Sequence, residues 1–275
     1  MIDLHTHTNE SDGTYTPEEL ITAAAGLRLQ ALAITDHDTL AGYEKAKPMA
    51  EHAGLQLICG IELSTKIQKP VKKTVHLLGY FVSAPPASDF MNWLVFMQEA
   101  RRDRNRRLAE KLQSMGIDIT LEEVQGVGRS LAGRPHFARI MVQKGYVAST
   151  NEAFQRYLDE SAPGYVEREE PSLAEGIERI RLAGGISSLA HPIRLGKRDL
   201  VEEEELISGF IAIGLDSIEA YHSDHRPEDV RRYLGYAQKY NLRVTGGSDF
   251  HGDNKPSVKL GSAKVPDELL VALRH

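Results

Sequence analysis

Among 275 residues there is one cysteine, Cys59, so neither an intrachain disulfide nor a cysteine-rich zinc finger can form. A lone thiol fits a reducing compartment, and the expected location is the cytoplasm. No apolar run approaches the roughly 20 residues that a membrane-spanning helix needs. No signal peptide is expected either, because Met1 to His5 reads as a strand. An excess of positive charge is also missing: 33 Lys and Arg face 39 Asp and Glu, a net charge of −6. That balance argues against a general nucleic-acid coat protein, while leaving room for a local basic patch. There is no internal repeat, no low-complexity stretch and no linker rich in Pro, Gly or Ser. Neither a membrane nor a stable protein partner is implied.

What remains is the composition of a globular chain, of a size that one α/β barrel commonly has. Short apolar runs alternate with longer helical segments, the pattern of a parallel α/β architecture. Strands are predicted at 2–5, 31–35, 56–61, 74–80, 186–190, 216–220 and 243–247. Thr16-Pro17-Glu18-Glu19 is a capping box with proline at the first helical position. Gly54 and Gly184-Gly185 are helix stops. Between about Ser88 and Gly164 the rhythm breaks into helices alone, predicted at 90–115, 121–124, 135–144 and 151–158. The chain therefore divides into a barrel, 1–87 and 165–275, and a helical insertion, 88–164.

Histidines and acids sit where strands end. His5 and His7 follow the first strand, with Asp12 in the loop beyond, and Asp36-His37-Asp38 follows the second. Glu62 follows the third, His191-Pro192 the fifth and Ser248-Asp249-Phe250-His251 the seventh, while His76 lies near the start of the fourth. In a parallel barrel the C-terminal strand ends share one face, and that face carries the active site. Side chains alternate along a strand, so an H-x-H pair turns both rings to one side. Imidazoles with carboxylates suit Zn²⁺, Mn²⁺ or Fe²⁺ better than Mg²⁺ or Ca²⁺ alone. Each piece has a plainer reading. Asp36 and Asp38 could be turn or N-cap residues, and 191–192 and 247–249 simple loops. Joint occurrence at successive strand ends is the argument for a metal site. His52, His222, His225 and His275 lack this context and read as surface residues or as support behind the ligands.

Taken in order, His5-Thr6-His7, Ser11-Asp12-Gly13, Thr35-Asp36-His37-Asp38, Gly60-Ile61-Glu62, His76-Leu77-Leu78-Gly79, His191-Pro192 and Gly247-Ser248-Asp249-Phe250-His251 resemble the motifs of the PHP (polymerase and histidinol phosphatase) superfamily. The resemblance covers nearly the whole chain. It implies a distorted seven-stranded (β/α)7 TIM-like barrel and a site of two or three divalent metals (Mn²⁺, Fe²⁺ or Zn²⁺). One metal would take His5, His7, Glu62 and Asp249. A second would take Glu62 as a bridge with His76 and His191, and a third Asp12, His37 and His251. The insertion resembles that of small bacterial phosphoesterases acting on nucleotides, on the strength of Gly133-Arg134-Pro135-His136-Phe137-Ala138 and the arginine-rich 101–107.

The resemblance implies a metal-dependent phosphoesterase acting on a small nucleotide or short oligonucleotide. The expected substrate is the 3′-phosphate of nucleoside 3′,5′-bisphosphates, with trimming of short RNA from the 5′ end also implied. Cyclic nucleotides or histidinol phosphate are the alternative substrates, although histidinol phosphatases lack this insertion pattern. Arginine binds phosphate through a planar fork. Arg101, Arg104, Arg134 and Arg194, with His136, are the candidate substrate contacts, although most of the 101–107 arginines suit a solvated face paired with acids. Glu62, His191 and His251 are the candidate catalytic groups, the histidines assisting the leaving oxygen. Rivals of other classes are a metal-dependent amidohydrolase, which needs no phosphate clamp, and a nucleotide-binding module without turnover.

Overall fold

Seven strands line up in chain order: β1 (Ile2–Asp3), β2 (Ala31–Ile34), β3 (Gln56–Ile67), β4 (Lys73–Phe81), β5 (Ile186–Leu189), β6 (Ser217–His222) and β7 (Arg243–Gly247). The ring closes where Leu4 N–H donates to the Gly246 carbonyl at 3.1 Å and Asp249 N–H to the His5 carbonyl at 2.8 Å. β7 lies this close to β1 because Gly247 has no side chain; a Cβ there would stand 2.2 Å from the His5 nitrogen. The computed structural model describes residues 1–69, 72–128, 131–196 and 199–273.

The pairs β1–β2, β2–β3, β5–β6 and β6–β7 are parallel, but β4 runs antiparallel to both β3 and β5. This corrects the wholly parallel expectation. β3 does not stop at Ile61; it continues through Glu62 to Ile67, and five residues separate Ile67 from Lys73. A link so short cannot make the crossover to a parallel neighbour, which takes about a dozen residues or more. The reversal places the site. The beginning of β4, with His76 opposite Ser64, comes to the mouth at which the parallel strands end.

α1 (Pro17–Gly26) opens with the expected reciprocal cap. Thr16 Oγ1 accepts from Glu19 N–H at 3.1 Å, and Glu19 Oε2 accepts from Thr16 N–H at 2.8 Å. α2 (Ala41–Ala53) stops at Gly54, whose φ of 65° is left-handed and suits glycine. After β4 come α3 (Ser88–Ser114), α4 (Leu121–Gly128), α5 (Arg134–Gln143) and α6 (Thr150–Ala153), the last running into a π turn at Phe154–Leu158. Strand–helix alternation then resumes with α7 (Leu173–Leu182), α8 (Leu200–Ala212) and α9 (Pro227–Tyr240). Among the described residues no helix is long and apolar enough to cross a membrane.

α3 belongs to two cores at once. Its buried side reads Phe90, Trp93, Leu94, Met97, Arg101, Arg104, Asn105, Leu108, Leu112, in helical phase. The first four pack with Ile61, Leu77, Ile177 and Ile180 of the barrel. The last two pack with Val124, Phe137, Met141 and Leu158 of the helices that follow. Burying each such apolar side chain contributes roughly 1.5–3 kcal/mol. Three polar residues occupy the seam between the two cores, where burial is costly unless they find partners.

Candidate metal centre

Glu62 stands in the middle of the mouth, 1% exposed on its side chain, and histidines surround both of its oxygens. Oε2 lies 3.3 Å from His5 Nε2, 3.1 Å from His7 Nε2 and 3.2 Å from His37 Nδ1. Oε1 lies 2.9 Å from both His76 Nδ1 and His191 Nε2. Asp249 Oδ1 faces His5 Nε2 at 3.5 Å and His7 Nε2 at 3.4 Å. Asp12 faces His251 Nε2 at 3.2 Å through Oδ1 and His37 Nε2 at 3.7 Å through Oδ2. All nine residues singled out in the sequence as ligands therefore meet in one cluster. Close-set donor groups are His5, His7, Glu62 and Asp249; His7, Asp12, His37 and His251; and His37, Glu62 and His76, with His5, Glu219 and His222 forming another behind them. His37 thus joins Glu62 and His76 where the resemblance placed His191, and His191 reaches the same carboxylate from the other side.

The donor set fits divalent cations. His5 Nε2, His7 Nε2, His37 Nδ1 and Asp12 Oδ1 are buried, lack hydrogen-bond partners and face one another, an arrangement that native proteins rarely leave unexplained. Burial alone would raise the Glu62 carboxyl, but His37, His76 and His5 hold it well below the usual carboxylate range. Burial likewise opposes charge on His7, yet the Asp249 and Glu62 carboxylates, 3.4 and 3.1 Å from its Nε2, carry it up to about 9. Burial takes His37 and His191 down to about 3, in the latter case with help from Arg194, so both rings present neutral nitrogens at physiological pH.

Buried carboxylates hold the ligand-bearing loops. Asp36, one of the two residues with a plain turn reading, accepts Thr8 N–H (2.7 Å), Thr8 Oγ1 (2.6 Å) and Ser11 Oγ (2.6 Å), and so shapes the 8–12 loop. Asp38, left-handed at φ 54°, accepts Ser64 N–H at 2.8 Å and ion-pairs with Arg101 and, at 3.1 Å, with Arg168. Asp249 turns Oδ2 away from the histidine cluster toward Lys255 (2.6 Å), Arg194 (2.9 Å) and His222 (3.5 Å). Glu219 on β6 receives His5 and the His191 backbone.

One cavity of about 840 Å³ runs from Asp12, His37, Glu62, His76, Asp249 and His251 to Arg101, Arg104, Arg134, Arg139 and Arg168, with Arg194 beside Asp249. Only Asp38 and Glu170 are paired with this far array among the described residues. Arg104 is buried, yet its one hydrogen bond is Nε to Asn105 Oδ1 at 3.1 Å, with no carboxylate partner among the described residues. Burial, reinforced by Arg101 and Arg168, pushes its pKa well below the guanidinium range. Arg134 donates to the Leu158 carbonyl at 3.2 Å, 6.0 Å from the Phe154 ring and 5.7 Å from the Tyr165 ring. His136 turns Nδ1 to the Gly133 N–H at 3.0 Å, capping α5, and is not part of the cavity wall.

His222 is buried behind Asp249, and His225 binds the Ala220 carbonyl at 2.9 Å. His52 is exposed on α2, and His275 lies outside the described residues. Sequence reading missed Arg168, Lys255 and Glu219. A signal existed only for Glu219, a charged residue set between the apolar Ile218 and Ala220 of a strand.

The family model of the PHP domain matches residues 3–164. A 3′,5′-nucleoside bisphosphate phosphatase of Chromobacterium violaceum is 33% identical, over 94% of this chain and 90% of its own. A 5′-3′ exoribonuclease of Haemophilus influenzae is 32% identical, over 90% of this chain and 89% of its own. The crystal structure of a chain from Bifidobacterium adolescentis, assigned as a metal-dependent phosphoesterase, superposes with a TM-score of 0.86. It shares 34% identity and covers 99% of this chain and 94% of its own.

Proposed function

The chain belongs to the PHP domain family, and from that premise we propose that it removes the 3′-phosphate from nucleoside 3′,5′-bisphosphates. It is a metal-dependent phosphoesterase. One observation supports the narrower reading: the histidine–carboxylate cluster and an acid-poor arginine array share a single cavity. Two or three cations (Mn²⁺, Fe²⁺ or Zn²⁺) would be held by His5, His7, Glu62 and Asp249, by Glu62 with His76, His37 and His191, and by Asp12, His37 and His251. When bound, they supply an activated water and neutralise phosphoryl charge.

This chain's residues do the rest. Glu62 offers one oxygen to each half of the cluster and so fixes their separation. Arg104, Arg134, Arg101 and Arg168 bind the phosphate that is not hydrolysed, and Arg194 neutralises charge beside Asp249. Of the two histidines considered for the leaving oxygen, His251 opens on the cavity wall and His191 lies behind it, so the role falls to His251. The insertion, 88–164, is the substrate cap. Beyond the arginines the wall continues through Val127, Leu131 and Phe154, an apolar surface for a base, which also favours short RNA entering by its 5′ end.

Turnover with Mn²⁺ tests this reading. A nucleoside 3′,5′-bisphosphate should exceed the 3′-monophosphate and p-nitrophenyl phosphate by at least tenfold in kcat/KM, a difference of about 1.4 kcal/mol. Faster turnover of histidinol phosphate or a cyclic nucleotide would remove the bisphosphate assignment and leave the phosphoesterase. Cleavage of amides alone would remove both.

A further inference from the structure

Glu219 carries a charge into the closed wall of the barrel. It is 0% exposed, it lies outside the cavity lining, and with His5 and His222 it forms a further close-set group of donor atoms behind the cluster. A carboxylate buried so completely costs several kcal/mol unless partners are built for it. Its partners are two of the candidate ligands. Oε1 lies 2.8 Å from His5 Nδ1, and Oε2 accepts the His191 backbone N–H at 2.6 Å.

Each contact settles something the ligand cannot settle alone. A neutral imidazole carries one proton, and an acceptor at Nδ1 draws it there, leaving the lone pair on Nε2. His5 Nε2 is the atom that looks at Glu62 Oε2 and Asp249 Oδ1. His191 has φ 28° and ψ 64°, a region that non-glycine residues adopt only when their surroundings impose it. Its amide is held by Glu219, while its carbonyl accepts Arg194 N–H at 2.9 Å. His5 serves one side of Glu62 and His191 the other, so both halves of the cluster are set by one side chain on a third strand.

We propose that Glu219 is a positioning residue for the metal centre, fixing the His5 tautomer and the strained His191 backbone with its two oxygens. The inference rests on the metal-site reading but not on the substrate, and its test uses no turnover. In the Zn²⁺-loaded wild-type protein, ¹⁵N-histidine spectra should show His5 protonated at Nδ1 and bound through Nε2, the signal being identified by its loss in His5→Gln. Glu219→Gln keeps one acceptor but sets an amide donor against another, and should lower Zn²⁺ or Mn²⁺ affinity about ten- to a hundredfold in competition titrations.

Asp216→Asn is the structural control, because Asp216 Oδ2 accepts Ser187 N–H at 3.0 Å at the other end of β6. It should lower the melting temperature with metal affinity unchanged. If Glu219→Gln behaved like that control, Glu219 would hold the fold and not the site. If wild-type His5 carried its proton on Nε2, the proposal would fail whether or not the variant folds.

Discussion

Replacing Arg104 by methionine should weaken the reaction and spare the fold, two effects that a structural arginine would not separate. The guanidinium is buried at the seam of α3, with Asn105 Oδ1 as its only hydrogen-bond partner among the described residues and three other arginines nearby. Methionine fills similar space flexibly, and losing the single hydrogen bond, from the guanidinium to a neutral amide, costs about 1.5–3 kcal/mol. Against this stands relief of an uncompensated buried charge, worth several kcal/mol. The metal-loaded variant should therefore melt at or above the wild-type temperature, each 1 kcal/mol being worth roughly 2–4 °C in a chain of this size.

Turnover should move the other way. A charge-assisted contact to phosphate contributes roughly 1.5–3 kcal/mol, so kcat/KM on a nucleoside bisphosphate should fall about 10- to 150-fold. p-Nitrophenyl phosphate, which has no second phosphate, should be processed within about twofold of wild type. The decisive pairing is thermal melting with kcat/KM on both substrates. A drop of more than about 4 °C with equal losses on both substrates would show that Arg104 supports packing and would refute the reasoning.

Three further outcomes are expected. Glu62→Gln should lose metal on gel filtration, to less than half the wild-type content by elemental analysis, because one carboxylate faces five histidines; full retention with near-normal turnover would defeat the bridging role. Arg134→Ala should cost the bisphosphate reaction about ten- to a hundredfold and p-nitrophenyl phosphate little. An equal loss would place Arg134 in the fold, through Leu158, Phe154 and Tyr165. Burial pushes the Cys59 thiol up to about 12, so the native protein should resist thiol reagents at pH 8 and react only when unfolded; rapid native labelling would contradict the packing of β3.

Much of the barrel was legible because apolar runs and their flanking ligands repeat along the chain; β7 was predicted to the residue and β2 within one. The direction of β4 was not, since an alternating strand reads alike both ways. The five-residue link after Ile67 held the information, had β3 been extended beyond Ile61. The nine cluster residues were visible as types at strand ends. Their supports were not, because a hydrogen bond such as Glu219 to His5 spans 214 residues. Arg168 sits in a Glu-Arg-Glu-Glu run that looks solvated, yet it is buried against Asp38. Arg101 and Arg104 were separable from their neighbours by phase alone, since they continue the spacing of Trp93 and Met97 while Arg106 and Arg107 leave it for Asp103.

α3 is a beam about 40 Å long, anchored at each end in a different core, with like charges gathered near its middle. Such a beam makes the anion a fastener. An anion seated among Arg101, Arg104 and Arg168 would cancel the repulsion at the seam and draw barrel and insertion together without any hinge. Amides flanking Arg104 would then exchange more slowly with solvent when phosphate is present, and those in the interior of β1 or β2 would not change. Recognition and rigidity would be one event, with substrate supplying the counter-charge that Arg104 lacks among the described residues.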